Sequence, residues 1–97
     1  MKAIEEFISI LKEVHGDKIK KIILFGSIAR GDADGESDVD VLIIGDISLD
    51  DVVDLTVKIM LKHGVFISPV IESEKEFEDK KNYSFYRTVM SEGVVIG

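Results

Sequence analysis

The sequence predicts an α+β domain with two layers, in which helices pack on one face of a small mixed β-sheet. Three observations predict it. Stretches with apolar residues at three- and four-residue steps alternate along the chain with short apolar runs of strand length. Gly and Ser sit at the joins between these segments, where helix caps and tight turns need them. The length of 97 residues leaves room for one domain, residues 1–97, with a single modest core.

The elements follow in order. Ile4, Phe7, Ile8, Leu11 and Val14 mark a first helix over about residues 2–15, with Gly16 as its expected C-terminal cap. Residues 19–25 read as a strand that is apolar on both faces near its end, and therefore central. A short helical turn over 27–30 and a polar loop over 31–37 lead to a second strand over 38–44. Ser48, with Asp51 three residues on, reads as a helix start. The helix over 49–63 then offers Leu49, Val52, Val53, Leu55, Ile59 and Met60 as a broad buried face, and Gly64 ends it. Residues 65–71 form a third strand; its Pro69 has no N–H for a ladder and so predicts a sheet edge or a bulge. Ser73 and Glu76 make a second capping box, and Asn82 is the expected cap of a last helix running to about residue 91. Residues 94–96 are left as an added edge strand or a sticky end.

Composition excludes several functions. A formal charge of −7 argues against direct binding of nucleic acid, because that affinity comes from Lys and Arg displacing counterions from phosphates. The absence of Cys rules out disulfides and thiolate zinc sites, and fits a cytoplasmic setting. Charges are interleaved with apolar residues from the first turn onward, so neither a signal peptide nor a membrane span is expected.

The chemistry is concentrated in one stretch. The apolar run Ile22-Ile23-Leu24-Phe25 stops at Gly26-Ser27, and ten residues after Ser27 a second apolar run opens with Asp38-Val39-Asp40-Val41. Strand residues i and i+2 share a face, so Asp38 and Asp40 would project together with their backbones about 7 Å apart. Two anions this close call for a cation between them, and Mg²⁺ is the hard ion commonly held by carboxylates together with substrate phosphates. A glycine corner lets a phosphate approach backbone amides, and the Ser27 hydroxyl adds a donor. Arg30 has two open roles, as a phosphate contact or as a partner of Asp32 or Asp34. His15 and His63 fall at helix C-termini, where the dipole favours an imidazolium over a ligand role.

Two rival motifs fail on chemistry. Gly26 and Gly31 have P-loop spacing, but Asp32-Ala33 stand where Lys and Ser or Thr are needed. Asp32, Asp34, Glu36 and Asp38 have the rhythm of a calcium loop, yet Ser37 replaces its turn glycine and Ile43 its closing acid.

Gly-Ser, ten residues, then Asp-x-Asp between hydrophobic runs resembles the signature of the polymerase-β-like nucleotidyltransferase superfamily. The small size resembles its minimal branch, the antitoxins paired with HEPN toxins. The motif part of the resemblance covers about residues 20–72. It implies that Gly26 and Ser27 grip a nucleoside triphosphate, that Asp38 and Asp40 are the catalytic acids and bind Mg²⁺, and that ATP is the substrate. It further implies transfer of AMP to a tyrosine hydroxyl of a HEPN ribonuclease partner. Active members carry a third acid on the strand over 65–71, at or near Ser68, and here that position holds no acid. Glu72 shares the face of Ser68 but lies about 13 Å further along an extended strand, too far to replace it. Weakened catalysis, or neutralisation of the partner by binding alone, is the alternative reading; transfer to a small molecule or RNA is a third. Pairing with a second copy of the chain, through residues 94–96 or an edge strand, stays open.

Overall fold

The computed structural model describes residues 2–25 and 39–96. Among these, four helices and four strands follow in the order α1 (Lys2–His15), a 3₁₀ turn (Gly16–Lys18), β1 (Ile19–Phe25), β2 (Val39–Gly45), α2 (Leu49–His63), β3 (Ile67–Glu72), α3 (Glu74–Lys80), α4 (Ser84–Glu92) and β4 (Val94–Val95). The sheet order is β3-β2-β1-β4, mixed as expected: β1 runs antiparallel to β2 and β4, while β2 and β3 are parallel. Placing β1 inside the sheet agrees with its two apolar faces, and Pro69 lies on the edge strand β3, where a missing N–H is harmless. Residues 94–96 add the opposite edge, with the Ile96 N–H donating to the Ile22 carbonyl at 2.9 Å.

The helices, expected on one face, occupy both. Alternation along β2 explains why. Val39, Val41 and Ile43 point into a core shared with Ala3, Ile4, Phe7 and Leu11 of α1 and with Val52, Leu55 and Ile59 of α2. Leu42 and Ile44 point the other way, into a smaller core with Ile23, Phe77 of α3, and Tyr86 and Val89 of α4. A strand that is apolar on both faces needs cover on both, and the two short C-terminal helices supply the second layer.

Local chemistry sets the boundaries. The Ser48 side chain accepts from the Asp51 N–H at 3.3 Å, and the Ser73 side chain accepts from the Glu76 N–H at 3.1 Å while donating to Glu76 Oε1 at 3.0 Å. Ser73→Ala is expected to cost about 1 kcal/mol, seen as a lower midpoint in urea with unchanged slope. Gly64 ends α2 at φ 69°, a left-handed conformation that glycine alone adopts freely. Gly45 serves a close approach: a Cβ there would lie 2.5 Å from the Lys18 carbonyl oxygen, so the 3₁₀ turn can sit against β2.

Four local expectations differ from the structure. Gly16 opens the 3₁₀ turn and does not cap α1 in a left-handed conformation, because the chain continues its winding into Lys18. Tyr83, not Asn82, is the N-cap of α4, and its side chain makes no capping bond. The buried face of α2 is narrower than expected: Val52, Leu55, Thr56 and Ile59 are inside, whereas Leu49, Val53 and Met60 face outward. Val14, counted in the apolar stripe of α1, is likewise exposed. The buried Thr56 hydroxyl is satisfied by the Val53 carbonyl at 2.7 Å. No helix among the described residues is long and apolar enough to cross a membrane.

Candidate active site

The site is built at the end of the sheet where β1 stops and β2 and β3 begin. Asp40 pairs with Phe25 of β1 on one side and with Ser68 of β3 on the other. Adjacent strands lie about 4.8 Å apart, and residues paired in register project to the same face, so Asp40, Phe25 and Ser68 form one row. Alternation puts that row on the side of Leu42 and Ile44, the side that α3 and α4 cover further along. Asp40 is half-buried and is the only charged residue in β2. Phe25, the last residue of β1, pairs with Asp40, and Gly26 follows it in the sequence.

Of the residues expected to form the site, Asp40 is described and holds the expected place at the start of a buried strand. Gly26, Ser27, Arg30 and Asp38 lie outside the described residues, as do the turn over 27–30, the loop over 31–37, and Asp32 and Asp34 as partners for Arg30. Ser68 stands directly beside Asp40, so the position read as lacking an acid does border the site. No group of three or more metal-ligating side chains occurs among the described residues.

Glu72 lies at the other end of β3, paired with Ile44, and is engaged elsewhere. Its carboxylate is buried, accepts the Tyr86 hydroxyl, and has Lys80 Nζ at 3.4 Å. The sequence reading missed this cluster, although the signal was there. Glu72 follows Val70 on an apolar face, and a carboxylate there requires partners. From Tyr86 an aromatic chain runs back to the site. Its ring meets Phe85 edge-on at 5.0 Å, and Phe85 meets Phe25 at 5.8 Å. Phe85 and Tyr86 therefore pack and hold α4 beside the row that contains Asp40.

Burial pushes the Tyr86 phenol up from its ordinary 10.0 to about 12, and donation to the Glu72 carboxylate adds to the rise. A raised folded pKa means that this contribution to stability is fully present below pH 10 and is lost as pH climbs through about 12. Tyr86→Phe is expected to flatten that alkaline loss while lowering neutral stability by about 1–3 kcal/mol, since Glu72 stays buried with one partner fewer. Unfolding in urea between neutral and strongly alkaline pH reads both effects.

His63 Nε2 lies 3.4 Å from Glu6 Oε2, and Lys62 Nζ lies 2.7 Å from Glu6 Oε1, so the end of α2 is tied to the start of α1. The hydrogen bond from Lys62 is the main reason that the Glu6 carboxyl lies below its ordinary range.

Comparison with known proteins shows the family and the fold. The family described as "Nucleotidyltransferase domain" matches residues 4–95. A Methanocaldococcus jannaschii protein, assigned by name to the protein adenylyltransferases, is 54% identical over 95 residues, covering 98% of this chain and 95% of that protein. Among solved structures, a toxin–antitoxin complex with AMP-PNP is similar with a TM-score of 0.63 at 22% identity, over 94% of this chain and 70% of that chain. A complex of a tri-AMPylated Shewanella oneidensis HEPN toxin with an MNT antitoxin is similar with a TM-score of 0.53 at 18% identity, over 96% of this chain and 70% of that chain. At those identities the two structures speak for the fold. The sequence match across nearly the whole chain decides the rest: this chain belongs to the nucleotidyltransferase domain family and is an enzyme of that class.

Proposed function

We propose that this protein is a Mg²⁺-dependent protein adenylyltransferase that moves AMP from ATP to a tyrosine hydroxyl of a HEPN-type helical toxin, and so acts as the antitoxin of a pair. The observation that carries the proposal is the register that seats Asp40 beside Ser68 and beside the strand end leading into Gly26-Ser27. The 54% identical relative assigned as a protein adenylyltransferase supports the reaction, and the HEPN toxin in the similar complex supports the partner. ATP as substrate and a toxin inside the cell together imply a cytoplasmic setting.

The donor set suits a hard cation. A half-buried carboxylate stands next to a hydroxyl, and both offer the oxygen ligands that such an ion takes. Asp38 and Asp40 would hold Mg²⁺, which when bound neutralises phosphate charge and polarises the phosphorus centre. Gly26 and Ser27 would hold the phosphates by backbone amides and a hydroxyl, and Arg30 would add a positive charge. The acceptor oxygen forms a bond to the α-phosphorus as the bond from that phosphorus to the bridging oxygen breaks. Pyrophosphate leaves, and the acceptor proton passes to a carboxylate or to water. The chain's contribution is to align these groups and hold their charges in place before reaction.

Ser68 favours a second reading. A hydroxyl beside Asp40 cannot take a proton as a third carboxylate would, so catalysis would be weakened and the protein would neutralise its partner by covering it. One experiment separates the two readings. The protein is incubated with labelled ATP, Mg²⁺ and the candidate toxin, and the toxin is then weighed by mass spectrometry. Added AMP on tyrosine, lost when Mg²⁺ is chelated, is the expected result; stable co-purification without added mass would favour cover alone.

A further inference from the structure

We infer that the outward face of α2 is where two copies of this chain pair, antiparallel and about a two-fold axis near Val57. Leu49, Val53, Val57, Met60 and Leu61 are all exposed, Leu61 to 81%, and they lie on the side of the helix opposite the buried Val52, Leu55 and Ile59. Their steps of four, four, three and one trace a stripe about 120° wide along a helix about 22 Å long, which is the pattern of a helix–helix seam. Scattered single apolar residues would need no explanation; five on one helix face of a chain with formal charge −7 do.

Charge decides the occupant. Asp50, Asp51 and Asp54 fall in the first half of α2, and Lys58, Lys62 and His63 in the second. Lys62 and His63 are held by Glu6 of the same chain, so the complementarity rests on Asp54 and Lys58: laid antiparallel, Asp54 of each copy runs beside Lys58 of the other and the helix dipoles oppose favourably, whereas a parallel pair would set Asp54 on Asp54. With Val57 on the axis, Val53 of each copy meets Leu61 of the other, so the contact centres on Val53, Val57 and Leu61, while Met60 falls opposite Asp54 and Leu49 opposite Val65. The face is self-complementary, as a two-fold interface must be. One helix face is smaller than the ~800 Å² per partner of a standard interface, so the pairing is reversible and concentration-dependent. β4 offers the competing surface, but it pairs over only two residues.

Sedimentation of the intact protein over a concentration series tests the inference. A reversible dimer is expected, and Val57→Lys, which places like charges on the axis, is expected to leave only monomer. The chain has no cysteine, so single introduced thiols report contacts cleanly. Under mild oxidation Val57→Cys is expected to give a covalent dimer, while Leu49→Cys, near the axis only in a parallel pair, and Val95→Cys, on the β4 edge, are expected to stay monomeric. Monomer at every concentration, a dimer that survives Val57→Lys, no cross-linking through Val57→Cys, or cross-linking through Leu49→Cys or Val95→Cys would overturn it. Should Val57→Lys fail to fold by circular dichroism, the three cysteine variants still decide the question. None of these readouts depends on adenylyl transfer.

Discussion

Asp40→Asn lowers the rate of AMP transfer by about 10²–10³-fold while leaving the fold intact: that is the largest functional effect expected of a single substitution within the described residues. The change is isosteric and removes one negative charge. Asp40 is the only charge in a strand otherwise made of Val, Leu, Ile and Gly, so its loss does not disturb the packing of β2. What it removes is the charge against which a cation and a triphosphate would be placed. Toxin labelling at saturating ATP separates a loss of rate from a loss of nucleotide binding. The steric reading expects neutralisation in cells to survive the substitution, and the enzymatic reading expects it to fail. Ser68→Asp gives the complementary test. It places a carboxylate in the register position beside Asp40, and a rise in labelling is expected if the hydroxyl there limits activation of the acceptor. Unchanged labelling in Asp40→Asn would put the reacting centre elsewhere.

The largest effect on stability is expected from Phe7→Ala, a loss of about 3–5 kcal/mol. Phe7 is fully buried at the middle of α1, in the core shared by α1, α2 and one face of the sheet. Truncation removes most of its buried area and leaves a hole that the rigid sheet cannot close. A domain of this size has about 5–15 kcal/mol of total stability, so the variant should unfold at far lower urea, and part of it should be unfolded without denaturant near body temperature. Phe7→Leu, which keeps most of the volume, should lose much less. A loss below about 1 kcal/mol for the alanine variant would mean that α1 contributes little to the core.

Much of this was legible in the chain because it is local. The caps at Ser48 and Ser73 and the stop at Gly64 depend on residues within one helical turn, and each stands where the sequence placed it. The limits of α1 and α2 follow from apolar spacing within the same segments. Pro69 predicts an edge because it lacks a donor whatever surrounds it. The motif that identifies the family is equally local, a corner and two acids read from spacing alone.

The less legible features involve partners distant in sequence. An apolar stripe shows that a helix packs but not against which face, and so α3 and α4 were placed on the wrong side of the sheet. The buried face of α2 was overestimated for a related reason: Val53 and Met60 are as apolar as Val52 and Ile59, and only the position of the sheet separates them. Asn82 is the better capping residue by type, but the chain enters α4 from Tyr83, because α4 must bring Tyr86 to Glu72 and Phe85 to Phe25.

By itself the sequence determined the class of fold, the ends of most elements, the family and the acids to test. Tertiary structure decided which residues stand side by side: Asp40 with Ser68, Glu72 with Tyr86, and the outward face of α2 with solvent. The physical reason is range. Capping and periodicity are settled within a few residues of backbone, whereas strand register and helix placement depend on closing loops between distant segments, and the winner is the arrangement that buries the most apolar surface without leaving a charge alone.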